Sequence, residues 1–161
     1  MRSKKVTYML QASMIAAIYV VLVVIFNYWS FGPIQFRIAE ILTVLPYFTP
    51  AAIPGLFIGC LLANFLGGSI LMDIALGSVA TLIGAVGTYF FSKAKIKWLA
   101  PIPPIVANTL IVPFVLKYGY GLSDAVWYMM ITVGISEVIV CMALGLPLLL
   151  IIQKYKEHIF R

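Results

Sequence analysis

Residues 36–66 read FRIAEILTVLPYFTPAAIPGLFIGCLLANFL, and the way this stretch divides decides the fold. It is apolar enough for one long helix, but Pro46 and Pro50 bracket Tyr47-Phe48-Thr49, and Pro54 follows four residues on. Proline lacks a backbone donor and collides with the preceding turn, so prolines at this density stop one helix and start another. The stretch is therefore two elements, 36–49 and 51–66. Each is short for a bilayer crossing, which takes ~20 residues.

Working outward, apolar runs at 6–26, 70–92, 98–117 and 123–152 are set apart by turn or charge signals, giving six candidate spans. With 63% hydrophobic residues, 10% charged residues and a mean hydropathy of +1.09, the chain lacks the polar atoms to cover a surface in water. Lipid must be its solvent. Six spans of ~20 residues use most of the 161, so we expect one membrane domain, 1–161, with no fused nucleotide-binding motor. No GxxxxGK(S/T) phosphate loop occurs in the sequence. The run from Val6 to Phe26 exceeds the core of a signal peptide and reads as a retained first helix.

The net charge of +6 does not point to nucleic acid, because the basic residues flank apolar runs rather than line a soluble face. Six spans starting inside the cell place Arg2, Lys4, Lys5, Lys93, Lys95, Lys97, Lys154, Lys156 and Arg161 in the cytoplasm. That is nine of the eleven basic residues. Merging the second and third spans would move the Lys93–Lys97 cluster outside, against the cytoplasmic enrichment of basic loops. The expected fold is thus all-α, a six-transmembrane-helix bundle in the cell membrane with both termini cytoplasmic. Cys60 and Cys141 fall within apolar runs, where a cysteine reads as a small buried hydrophobe. We see neither disulfide nor metal spacing.

Polar residues left inside the spans carry the functional signal, because a charge near the bilayer centre costs roughly 2.5–3.5 kcal/mol on insertion scales. They are Arg37, Glu40, Asp73 and Glu137, with Asn64 and Asn108 as neutral companions. Helix rise puts Asn108 about 13 Å, and Glu137 about 20 Å, below the outer ends of their spans, while the others lie near outer ends. Such one-sidedness suits a polar pocket open to the outside. Duller readings stay open for each. Arg37 and Glu40, three apart, can neutralise each other; Asp73 can be a first-turn acid; Asn64 and Asn108 can join helices. Glu137 has no basic neighbour in its own span and demands a proton or a partner. Three carboxylates and one arginine among tyrosine and tryptophan suit a flat heteroaromatic with several N–H donors, such as a guanine-like edge.

The stretch Phe31-Gly32-Pro33-Ile34-Gln35-Phe36-Arg37-Ile38-Ala39-Glu40, then Leu42-Thr43-Val44-Leu45-Pro46, Pro54-Gly55-Leu56, Gly59-Cys60 and Ala63-Asn64, closely resembles the QueT family. Asp73, Gly77 to Leu82, Pro104 with Asn108, Gly134 with Glu137, and Gly145-Leu146-Pro147 extend the likeness over nearly the whole chain. The resemblance implies a substrate-binding S component of an energy-coupling-factor (ECF) importer for queuosine precursors, which are 7-deazaguanine bases. It implies, as partners, a transmembrane coupling protein and two ATPases, and no cofactor in this chain. An alanine-x-x-x-alanine docking patch on the first helix corresponds to Ala12 and Ala16, widened by Ser13 and Ala17; its alternative is packing inside the bundle.

On that basis Glu40 is expected to accept from the guanine-like edge, with Arg37 orienting it or donating to the carbonyl. Asn64 and Asn108 would supply amide contacts, and Asp73 or Glu137 would take remaining donors or an aminomethyl cation. Trp29, Phe31 and Trp127 are stacking candidates, although aromatic belts use the same residues. The rival is a stand-alone proton-coupled secondary transporter with Glu137 and Asp73 as its relay; a structural subunit without ligand is a third reading. A membrane enzyme fits least, since no HExxH, GxSxG or cysteine–histidine set is present.

Overall fold

The chain breaks between two helices at Phe48 to Ala51, in the proline-rich stretch. The computed structural model describes residues 3–26 and 36–159, and all regular structure among them is helical. Helix α1 spans Lys4–Ile25, α2 Ile38–Tyr47, α3 Ala52–Leu66 and α4 Leu71–Lys93. Helix α5 covers Lys97–Gly119 and α6 starts at Val126, continuing past Tyr155 to Ile159. Four of these, α1, α4, α5 and α6, are long and apolar enough to cross a membrane.

The other two are shorter, as expected from the prolines. Helix α2 has 10 residues and is wound as a 3₁₀ helix with Pro46 inside it, whereas α3 is a regular helix of 15 residues. At ~2.0 and ~1.5 Å per residue they reach roughly 20 Å each, short of a hydrocarbon layer of ~30 Å. Helix α2 is correspondingly enclosed: it packs on α1, α3, α4 and the far part of α6, and all but Ile38, Ile41 and Tyr47 of its residues are buried.

Close helix approach comes from small residues, as it must where lipid offers no hydrophobic drive between helices. At Gly55 an added Cβ would lie 2.7 Å from the backbone oxygen of Ala12, and at Gly59 it would lie 2.9 Å from Cβ of Tyr19. This seam joins α1 to α3. On α4, a Cβ at Gly84 would lie 2.6 Å from Cα of Pro104, and Thr88 donates to the Ala100 carbonyl at 2.8 Å. The Gly77-Ala80-Gly84-Thr88 strip is thus an internal seam between α4 and its neighbours. The exterior carries large apolar side chains, among them Met9, Ile25, Phe65, Leu71 and Ile135. That is the surface of a membrane protein, not of one facing water.

Two irregular windings set the interior. In α2 the three-residue turn sets Glu40 and Thr43 along one line, and Arg37 stands just before its first residue. In α6 the regular helix Val126–Glu137 passes into a π-helical stretch, Val138–Gly145, and back to helix at Leu146. Both irregular segments face each other across Val44, Ile41 and Gly145.

Candidate functional site

The stacked face of α2 points into a polar cluster to which all six helices contribute. Arg37, 4% exposed, donates from Nη2 to Oδ1 of Asp73 on α4 at 2.9 Å. The partner of Arg37 is therefore Asp73 and not Glu40, correcting the neutralisation that their spacing along α2 suggested. The reason is tertiary: α4 brings its first turn against the start of α2, and a charge–charge hydrogen bond there compensates both buried ions.

Glu40 is fully buried and has other partners. Its Oε1 accepts from the Tyr19 hydroxyl of α1 at 2.6 Å and from the Thr81 hydroxyl of α4 at 3.1 Å. Its backbone carbonyl accepts from Thr43 at 2.6 Å and faces the Cys141 thiol at 3.7 Å. Cys141 in turn lies 3.5 Å from Oε2 of Glu137, linking α6 to α2. Asp73 uses its second oxygen to accept from the Tyr120 hydroxyl at 2.9 Å, in the connection between α5 and α6. Partial burial raises the Tyr120 phenol above its ordinary value, so it remains a donor at neutral pH.

Asn64 sits beside this pair rather than in it. Its amide nitrogen donates to the Asp73 backbone carbonyl at 3.4 Å, pinning the end of α3 to the start of α4. Gly77 makes the room: a methyl there would lie 2.9 Å from Asp73 Oδ1, 3.2 Å from Arg37 Nη1 and 3.3 Å from Asn64 Nδ2.

Not all bonding capacity is used. Among the described residues, Arg37 Nε and Nη1 and Glu40 Oε2 find no hydrogen-bond partner, and both amide atoms of Asn108 find none of ordinary geometry, although all are buried. Asn108 is fully buried against the Glu137 carboxyl, its hydrogen-bond partner in a loose geometry, and its amide makes no other bond. Such groups ordinarily carry partners, because an unmet buried donor or acceptor costs about 1–3 kcal/mol. Buried donors and acceptors left open are what a polar ligand completes.

Comparison with known proteins meets this arrangement over almost the same residues. The sequence profile described as QueT transporter matches residues 9–154. The chain belongs to the QueT transporter family. It is 32% identical over 98 residues to the Queuosine precursor transporter QueT of Lactococcus lactis subsp. cremoris (strain MG1363). That alignment covers 59% of this chain and 57% of the relative, so the match spans somewhat over half of the curated protein's length. No solved structure matches the chain.

In this QueT family member Arg37, Glu40, Asn64, Asp73, Asn108 and Glu137 are all buried and gather in one region. Trp127 stands apart from them: it is 66% exposed, its ring set edge-on against Tyr128 at 6.2 Å. Trp29 and Phe31 lie outside the described residues. Tyr19, Thr81, Tyr120, Gly77 and both cysteines are cluster members that the sequence reading did not select. Cys60 and Cys141 are buried as expected, but their thiols face polar groups: Cys60 lies 3.4 Å from the Thr81 hydroxyl. A count of polar side chains in apolar runs would have found Tyr19 and Thr81 had hydroxyls been included.

Ala12 and Ala16 line an apolar groove of about 480 Å³ with Ile58 and Leu62 of α3. Ala16 is also the residue whose backbone meets Gly59, so it serves the internal α1–α3 seam, whereas Ser13 and Ala17 are exposed.

Proposed function

We propose that this chain captures a queuosine precursor, a 7-deazaguanine base, as the S component of an ECF-type importer. In this reading all six helices form the membrane unit, both termini are cytoplasmic, and the cluster opens to the outside of a prokaryotic plasma membrane. A coupling protein and two ATPases supply the energy. The observation that carries the reading is the set of unused buried atoms on Arg37 and Glu40, with the loosely held amide of Asn108. Glu40 Oε2 accepts from the guanine-like N–H edge while Tyr19 and Thr81 hold the other oxygen, and the free Arg37 nitrogens donate to the ring carbonyl. Asn108 supplies an amide contact from the opposite side. Asn64 and the Arg37–Asp73 pair shape the mouth, and Trp29 and Phe31, outside the described residues, are the candidates to stack on the ring. Ala12 and Ala16, with the exposed Ser13 and Ala17, present the docking groove for the coupling protein. A stand-alone proton-coupled transporter is less well supported, because Asp73, one half of its relay, is held by Arg37.

Titration of the purified chain in detergent with 7-deazaguanine bases tests this. Binding should be saturable, and Glu40→Gln should weaken it at least tenfold, about 1.4 kcal/mol. Wild-type affinity in that variant would take Glu40 out of the site, and absence of binding by any base would end the reading.

A further inference from the structure

We infer that the turn between α4 and α5, residues 93–97, binds the headgroup of an anionic phospholipid. The backbone gives the first sign. Helix α4 closes with two bonds, from the Lys95 amide to the Ser92 carbonyl and from the Ile96 amide to the Phe91 carbonyl, both at 3.1 Å. That closure sets the residue after the cap in the left-handed region, which glycine occupies freely and a residue with a side chain only at a cost. Here the residue is Lys95, at a φ of 59°. Among the described residues the other two positive-φ positions are Gly68 and Gly121, so the chain uses glycine where the backbone alone decides. A lysine held at position 95 against that cost is explained if its ammonium has a ligand.

The protein supplies no acid to answer it. Lys93 and Lys97 flank Lys95, and the sequence from 74 to 123 contains neither aspartate nor glutamate. Among the described residues none of the three ammonium groups closes an ion pair or hydrogen bond with the protein, whereas Lys117 donates to the Ser123 and Asp124 carbonyls at 3.2 and 3.1 Å. Aromatic rings hold two of them instead: Lys93 Nζ lies 4.8 Å from the centre of the Tyr89 ring, and Lys97 Nζ 5.9 Å from that of Trp98. A ring attracts a cation through its face but leaves N–H donors unmet, and phosphate oxygens can take them. Phe90, Ile96, Trp98 and Leu99 are exposed at the same turn. Because α4 and α5 are both long enough to cross a membrane, the turn joining them sits where hydrocarbon gives way to headgroups. On the topology proposed above that is the cytoplasmic leaflet, where anionic lipids attract basic segments. Cations beside an exposed apolar rim complement a lipid in both its parts, phosphate on the lysines and acyl chains on the rim. A soluble anion would use the lysines alone.

The test titrates the purified chain in neutral detergent with short-chain phosphatidylglycerol and, separately, with phosphatidylcholine of the same chains, counting bound lipid by native mass spectrometry. Phosphatidylglycerol should bind at least about tenfold more tightly. Lys95→Gly should weaken it about fivefold, the effect of one lysine near an anionic surface. Its melting temperature in lipid-free detergent should hold or rise, because glycine then fills the left-handed position. A fall would make Lys95 a structural residue and overturn the inference. Lys93→Gln, Lys95→Gln and Lys97→Gln together should bring the two lipids to within about twofold. Lys4→Gln with Lys5→Gln should leave the preference intact, and its loss there would reduce the effect to net charge. Equal wild-type affinity for the two lipids, a preference that survives the triple substitution, or displacement of the lipid by equimolar inorganic phosphate each overturns the inference. Affinity for 7-deazaguanine bases should stay at the wild-type value in the triple variant, so the proposed function stands or falls separately.

Discussion

Arg37 and Asp73 show how a buried ion pair can be told from a ligand contact by substitution. Removing one partner strands the other charge in the interior, at a cost of about 3–5 kcal/mol, whereas replacing both with apolar residues is often neutral. Arg37→Ala should therefore lower the melting temperature sharply, and Arg37→Met combined with Asp73→Leu should restore most of it. Base binding should not return in the double variant, because the free Arg37 nitrogens are gone. Recovery of both would make the pair purely structural. Gly77→Ala probes the same spot from below. Its methyl would intrude on Asp73 Oδ1 at 2.9 Å, so affinity should fall about tenfold with a much smaller loss of stability. Unchanged affinity would place the ligand away from this end. The sequence made the six buried polar residues visible because charge in an apolar run is costly wherever it lies. Their pairing was not visible: spacing along α2 offered Glu40 to Arg37, and only the approach of α4 supplied Asp73.

At the scale of elements, the α1–α3 seam positions Tyr19 and so holds Glu40. A side chain at Gly59 would meet Tyr19 Cβ at 2.9 Å and the Ala16 backbone at 3.1 Å, neither of which can swing aside. Gly59→Val should push the two helices apart, cost at least about 1–3 kcal/mol, and withdraw the Tyr19 hydroxyl from Glu40. Thermal melting and base titration should both register it. Tyr19→Phe, which keeps the packing and removes only the hydroxyl, should lose affinity with a smaller fall in melting temperature than Gly59→Val. If Gly59→Val melts like wild type, the seam is not as tight as its distances indicate. Element limits were readable, since Pro46, Pro50 and the turn residues punctuate the chain. The winding was not. Polar residues at 37, 40 and 43 repeat every three positions, which is the one local sign of a 3₁₀ turn, but a three-residue spacing also fits an α-helix. The π stretch after Glu137 leaves no comparable mark among Val138, Ile139, Val140 and Met142.

For the whole molecule, the apolar exterior leaves only packing detail to distinguish lipid-facing surface from a docking face. The groove beside Ala12 and Ala16 is such a detail, and the two readings of that strip separate once α1 is seen against α3. Ala16 is buried on Gly59, so a bulky residue there would break the bundle before it could block a partner. Ser13 and Ala17 lie one position round the helix, exposed on the same groove. If the groove receives the coupling protein, Ser13→Trp with Ala17→Trp should abolish co-purification with it in membranes, while base affinity and melting temperature stay at wild-type values. Ala16→Trp should instead lose all three together. Retained co-purification in the Ser13/Ala17 variant would move docking to another face and leave the Ala12–Ala16 strip as the inner wall of the α1–α3 seam.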